Sequence, residues 1–232
     1  MENQNIIYSK LEQFIKKFYT NELLRGTIFF VGLGLLYFLF TLFVEYFLWL
    51  KPTARTVLFW TFIAVELFLL LRFILFPIFK LFKLQKGINF DDASKIIGSH
   101  FSEVGDKLTN FLQLSNDQNK SELLLASIDQ KANTLQPIPF GNAINFGNNK
   151  KYLPLAIIPI LFFLFFMISG QSDIISQSFN RVVNYKDQFL PPAPFEFQIL
   201  NSNLQTEQNK DFLLKVKTVG KVVPENAMIF IG

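Results

Sequence analysis

Between Thr27 and Pro77 the chain carries two nearly uninterrupted apolar runs, TIFFVGLGLLYFLFTLFVEYFLWL and TVLFWTFIAVELFLLLRFILFP, separated only by KPTAR. At 1.5 Å per residue, a run of about 21 to 24 residues gives about 30 to 36 Å of helix, enough to cross the hydrocarbon core of a bilayer. Joined by so short a loop, the runs predict a transmembrane hairpin over 27–79, with spans at 27–50 and 56–77. Burying two such helices in a soluble protein would need far more covering chain than 232 residues supply. A third apolar run at 153–169, LPLAIIPILFFLFFMIS, is shorter but free of charge and predicts a third span. Pro77 is expected to end the second span. Pro159 is expected to kink the third by removing the amide that would bond the Leu155 carbonyl.

The basic residues orient these spans. Lys16, Lys17 and Arg25 precede the first, Lys80, Lys83 and Lys86 follow the second, and Lys150 and Lys151 precede the third. The hairpin loop offers only Lys51 and Arg55. The cytoplasmic side collects lysine and arginine, so the amino terminus and residues 80–152 are expected inside and the carboxyl-terminal region outside. Tyr46, Trp49 and Trp60 at the outer ends, with Tyr152 at the inner end, suit interfacial anchors.

Composition narrows the function classes. Half the residues are hydrophobic, 30 of them phenylalanine, and charged residues make up only 17%. The net charge of +4 comes from scattered lysines rather than from a basic block, so nucleic acid is not an expected partner. Without cysteine there is no disulfide, thiolate or cysteine–metal chemistry, and a single histidine excludes a histidine-rich metal centre. Lys10, Lys16 and Lys17 interrupt the amino-terminal apolar residues, unlike a cleavable signal.

Residues 1–26 predict an amphipathic helix with one stripe of Ile7, Leu11, Phe14, Ile15 and Phe18. Two readings suit it: a helix lying in the headgroups with its lysines toward anionic lipid, or one packed on the cytoplasmic residues. Thr20, Asn21, Arg25 and Gly26 are expected to turn the chain into the first span. Residues 80–152 predict a helical insert and linker. Asp91 or Asp92 caps its first helix, which carries Ala93, Ile96, Ile97, His100, Phe101 and Val104. A second helix carries Leu108, Phe111 and Leu112; a third opens at an Asn119/Glu122 capping box and carries Leu124, Leu125, Ile128, Ala132 and Leu135. A core of about 50 residues is too small to stand alone and should rest on the membrane or another subunit. His100 reads as a packed structural imidazole.

Residues 170–194 predict a juxtamembrane helix and a stiff Pro191–Pro194 spacer. From 195 to 232 the period changes to two, predicting strands at Phe195–Ile199, Phe212–Thr218 and Ala227–Ile231, the start of an immunoglobulin-like sandwich. Three strands do not close a sandwich, so the natural chain is expected to continue past Gly232. The fold class expected is therefore a membrane α-helical protein of three transmembrane helices, with a small cytoplasmic helical insert and an all-β extracytoplasmic start.

Three ionisable residues fall inside the spans. Glu45 and Arg72 lie about one turn from an interface, where their heads can snorkel into water. Glu66 sits near the middle of the second span, where a carboxylate costs several kcal/mol unless neutral, paired or turned to another helix. It has no mid-membrane partner for proton relay in the sequence, so an interhelical hydrogen bond is the favoured reading and ion or proton movement the other. No phosphate loop, nucleophile elbow, catalytic carboxylate pair or metal-ligand spacing is present, so no cofactor, metal or enzymatic activity is expected. Gly32-Leu33-Gly34 lies within a span and lacks the strand–turn–helix setting of a nucleotide fingerprint.

The two-span hairpin, the segments SKIIGSHFSEVGDKLTNFLQL and SELLLASIDQKA, the third run, and PPAPFEFQIL opening a β region form an ordered set. In that order the chain resembles the amino-terminal portion of a family of large bacterial envelope proteins, domain of unknown function 4175. Asp106-Lys107-Leu108 resembles that family's helical motif. The resemblance implies a bacterial inner-membrane location with periplasmic immunoglobulin-like repeats, and transfers no catalytic residue. The expected role is an anchor and scaffold in contact with membrane lipids, other envelope proteins or copies of itself. The alternative is a subunit of a transport, secretion or ion-driven complex using Glu66.

Overall fold

The computed structural model describes residues 2–117, 121–191, 193–202, 204–205 and 210–228. It divides into two units, Met1–Asp187 and Gln188–Gly232, each taken by itself. The first is helical; the second holds a two-stranded antiparallel sheet.

A single helix, α1, runs unbroken from Glu2 to Leu48, with no proline to interrupt it. The turn expected at Thr20–Gly26 does not form. Thr20 instead donates its hydroxyl to the Lys16 carbonyl one turn back, at 2.9 Å, which an intact helix accommodates. At about 1.5 Å per residue the helix is about 70 Å long, twice what a bilayer core requires.

Its first turns belong to a compact helical module. Ile7, Leu11 and Phe14 are fully buried with Ala93, Ile97, Leu108 and Phe111. The reading that lays this stripe in the headgroups is therefore corrected. Burying a large apolar side chain from water contributes about 1.5–3 kcal/mol, and the insert supplies a fixed, complementary surface for all three. Lysines expected to face lipid are turned to the module as well. Lys17 donates to the Gly141 carbonyl at 2.7 Å and Lys10 to the Ile138 carbonyl at 2.6 Å. Three short helices complete the module: α4 (Phe90–His100), α5 (Gly105–Ser115) and α6 (Glu122–Leu135). The cap of α4 is Asn89, one position before the helix and two before Asp91; Asp92 returns the bond from its third position. Ser121 caps α6, while Asn119 lies outside the described residues. His100 ends α4 with its ring edge-on to Phe101 at 4.7 Å.

The second helix begins at Pro52 and runs to Leu70 as α2, relaxes into a π-helical turn at Leu71–Leu75, and resumes as α3 (Phe76–Leu81). Pro77 therefore does not end the segment. The wider turn just ahead of it takes up the ring, which in a regular helix would collide with the carbonyl of Phe73. A seven-residue 3₁₀ turn (Phe146–Tyr152) leads into α7 (Leu153–Ile168), which packs along α1 with Pro159 buried inside it. Then α8 (Ser172–Val183) returns to α1, burying Ile175 and Val182 against Leu39 and Leu42. Among the described residues three helical stretches are long and apolar enough to cross a membrane: Asn3–Leu48, Pro52–Leu81 and Phe140–Ile168.

Glycines set how closely these helices approach α1. A Cβ built on Gly26 would fall 2.0 Å from the Phe73 oxygen, and one on Gly32 would fall 2.7 Å from the Leu155 oxygen. Both carbonyls lie four residues before a proline, Pro77 and Pro159, and so lack their usual helical donor. Each is set against a glycine Cα of α1. Close backbone contacts of this kind are those by which apolar helices pack in lipid, where no hydrophobic drive acts between them.

In the second unit β1 (Phe195–Ile199) pairs with β2 (Val216–Gly220), Phe195 opposite Gly220 and Ile199 opposite Val216. The second strand starts four residues later than the alternation suggests. Asn201 explains the shift: its side chain accepts from the Lys215 amide at 2.6 Å and donates to the Leu213 carbonyl at 2.8 Å, satisfying backbone that a ladder would otherwise pair. Of the third expected strand, Ala227 and Met228 are not in a strand, and 229–231 lie outside the described residues, as does Pro192 of the spacer.

Candidate functional site

The charges predicted inside the spans do not converge. They occupy three levels of the helix bundle. Arg72 lies exposed in the π-helical turn with its guanidinium 5.8 Å from the Phe73 ring. Glu66 packs between α2 and α1: a Cβ on Gly34 would meet its Oε2 at 2.9 Å, and its Oε1 is buried without a hydrogen-bond partner. Tyr37 of α1 and Phe62 of α2 stack on one another at 6.1 Å.

Glu45 is the built site. It does not snorkel; its side chain is 0% exposed, as is that of Arg55. The short loop after α1 folds α2 back so that Arg55, ten residues on, reaches the carboxylate. Both its Nε and its Nη2 lie 3.0 Å from Glu45 Oε1. Helix α8 brings Arg181 Nε to 3.3 Å from the same oxygen, too poorly aligned for a hydrogen bond. The other oxygen, Oε2, makes none. Arg55 also donates to the Leu50 carbonyl at 2.6 Å and the Asp187 carbonyl at 2.8 Å. One guanidinium thus ties the loop after α1 to the segment after α8.

Trp49 completes the cluster. It leaves α1 at a φ of 45°, a left-handed conformation that a bulky side chain adopts only when held there. Arg181 provides the hold, its guanidinium 4.1 Å from the indole ring, with Ser178 accepting from its Nη2 at 3.3 Å. Two arginines share one carboxylate in this buried cluster. A buried pair such as this is weak evidence for net stability, but removing one member strands the others in low dielectric. The cluster's ion pairs and hydrogen bonds tie α1, α2 and α8 together at one end of the bundle. No family model matches the chain, and no curated protein or solved structure does either. Its chemistry therefore rests on its own residues. Among those described, no three or more His, Asp or Glu side chains gather as metal ligands would.

Sequence pattern singles out Glu45 but not its partners. Arg55 follows the apolar break like a loop residue, yet it stands in the first turn of α2, where Pro52 at the opening of the helix marks the boundary. Arg181 lies within an amphipathic segment that does not mark it out. Its signal was position: it shares a helical face with Ile175, Ser178 and Val182, all buried.

Proposed function

We propose that this chain is a transmembrane anchor and scaffold of the bacterial inner membrane. In this reading it holds a cytoplasmic helical module on one side and an immunoglobulin-like β region on the other. The observation that carries the reading is α1: one helix gives its amino-terminal turns to the core of the module and its carboxyl-terminal end to the Glu45–Arg55–Arg181 cluster. A helix locked at both ends is suited to holding parts at fixed separation. The order of parts keeps the resemblance to domain of unknown function 4175 as part of this proposal. So does the placement of lysine-rich residues inside and β strands in the periplasm.

The absence of cysteine makes the test direct. Single cysteines are placed at Leu123 and at Leu190, both well exposed. They are probed with an impermeant maleimide on cells whose outer membrane has been opened. The expected result is labelling at 190 in intact spheroplasts and at 123 only after lysis, with envelope proteins co-purifying in mild detergent. Labelling of both from the same side, or recovery of the chain alone, overturns the reading.

One observation favours a second reading, a charge-moving subunit: Glu66 has a buried carboxylate oxygen with no partner. Glu66→Gln keeps shape and removes charge. An unchanged phenotype and unchanged assembly leave only the scaffold; loss of an ion-dependent phenotype with assembly intact favours transport.

A further inference from the structure

Where the second helix leaves its apolar stretch, a cavity of about 770 Å³ opens between the first turns of α1 and the segment that follows α3. Its charged lining is lopsided: Lys16, Lys80, Lys83 and Lys86 against the single carboxylate of Glu12, which pairs with Lys83 at 2.9 Å. Its remaining wall is largely apolar, with Ile15, Leu81 and Leu84 among the lining residues.

Lys80, Lys83 and Lys86 recur at every third position, and Leu81 and Leu84 line the same cavity between them. Lys83 takes a left-handed φ of 58° and turns the chain at the end of α3, while the Leu84 amide closes the helix on the Phe79 carbonyl at 2.8 Å. That turn leaves Phe82 at 68% and Leu84 at 74% exposed beside the basic mouth. The far lip is fixed as well, since the buried Tyr19 hydroxyl accepts from the Ile88 amide at 2.6 Å.

We infer that this cavity is a binding site for the phosphate headgroup of an anionic glycerophospholipid of the cytoplasmic leaflet. The inference rests on the transmembrane reading above, in which Lys80, three residues past the second apolar run, is the cavity's lysine nearest the cytoplasmic headgroups. A phosphodiester there meets several ammonium groups, while the acyl chains run back along the exposed Phe79 and Phe76 toward the bilayer. A soluble phosphate would use the lysines but leave those apolar side chains without a role. A juxtamembrane cluster of basic residues beside an inner-leaflet span is the setting in which each lysine adds appreciably to binding of anionic lipid.

The test uses the full chain reconstituted in nanodiscs of phosphatidylcholine containing a minor fraction of phosphatidylglycerol, released and weighed by native mass spectrometry. The wild type is expected to retain phosphatidylglycerol in preference to phosphatidylcholine. Lys80→Gln/Lys83→Gln/Lys86→Gln is expected to lose that retention by on the order of tenfold or more. Lys150→Gln/Lys151→Gln, at the same membrane face but outside the cavity, is expected to keep it. Glu12→Gln removes the competing carboxylate and is expected to raise it, a gain that a misfolded protein would not give. Equal retention of both lipids, an unaffected triple variant, or displacement of the lipid by millimolar inorganic phosphate each overturns the inference. Cysteine labelling at 123 and 190 on the same variants keeps the two proposals apart. Correct sidedness without lipid preference removes only the lipid site, whereas wrong sidedness in the wild type removes the anchor reading as well.

Discussion

At the scale of single residues, Glu45 is where this fold is most exposed to one change. Its Oε1 lies within 3.3 Å of both Arg55 and Arg181, and all three side chains are buried. Glu45→Ala would remove the carboxylate that both guanidinium groups approach, and breaking a buried pair costs about 3–5 kcal/mol. We expect the variant to unfold at markedly lower denaturant in mild detergent. Glu45→Gln should fall between it and the wild type, because the amide oxygen still accepts from Arg55. A Glu45→Ala protein as stable as the wild type would mean that the cluster holds nothing. Lys10 makes a different prediction. Burial lowers its pKa from the ordinary 10.5, so the unfolded chain binds the proton more tightly than the folded one. Between the folded value and 10.5 the stability of the module should rise with pH; below the folded value the cost of burying the charge is complete. Lys10→Met should remove that slope in unfolding curves taken across the alkaline range, whereas an identical slope would place its cause elsewhere.

At the scale of elements, the closest contacts in the bundle are between backbones. Pro77 and Pro159 each deprive a carbonyl four residues earlier of its helical donor, and the two carbonyls meet α1 at Gly26 and Gly32. A methyl at Gly26 would fall 2.0 Å from the Phe73 oxygen, a backbone atom that cannot rotate away. Gly26→Ala should therefore push the second helix off α1 at a cost of about 1–3 kcal/mol, the range for overpacking. Its readout is loss of thermal stability in detergent, with secondary structure retained by circular dichroism. A neutral effect would show that the helices slide freely. These contacts mark how much of the fold was legible. Run length and charge gave the three apolar helices and the stripe of Ile7, Leu11 and Phe14, because each is a property of local composition and period. Neither says what that stripe packs on. Nor does either show that Thr20–Gly26 and Pro77 stay helical, since polar and proline residues break a helix only when nothing nearby accommodates them. The partners of Glu45 are 10 and 136 residues away in sequence and meet only through the fold.

At the scale of the whole molecule, everything turns on whether α1 behaves as a rod. Its amino-terminal side chains are fixed in the module and its last turn in the arginine cluster, and between them the helix has no proline and no break in hydrogen bonding. A rod makes the position of the module a consequence of the apolar helices; a hinge near Thr20 would make it a tethered neighbour. Gln13 and Phe47 are both exposed on this helix, and spin labels attached to cysteines there would lie about 51 Å apart at 1.5 Å per residue. Pulsed electron resonance on the full chain in nanodiscs should return one narrow distance near that value. Thr20→Pro removes the amide that bonds the Lys16 carbonyl and adds a ring the preceding turn cannot accept, a cost of about 3 kcal/mol or more. It should shorten and broaden the distribution while Gly26 and the helices beyond it stay packed. A broad distribution already present in the wild type would remove the rod, and with it the physical reason for calling this chain a scaffold.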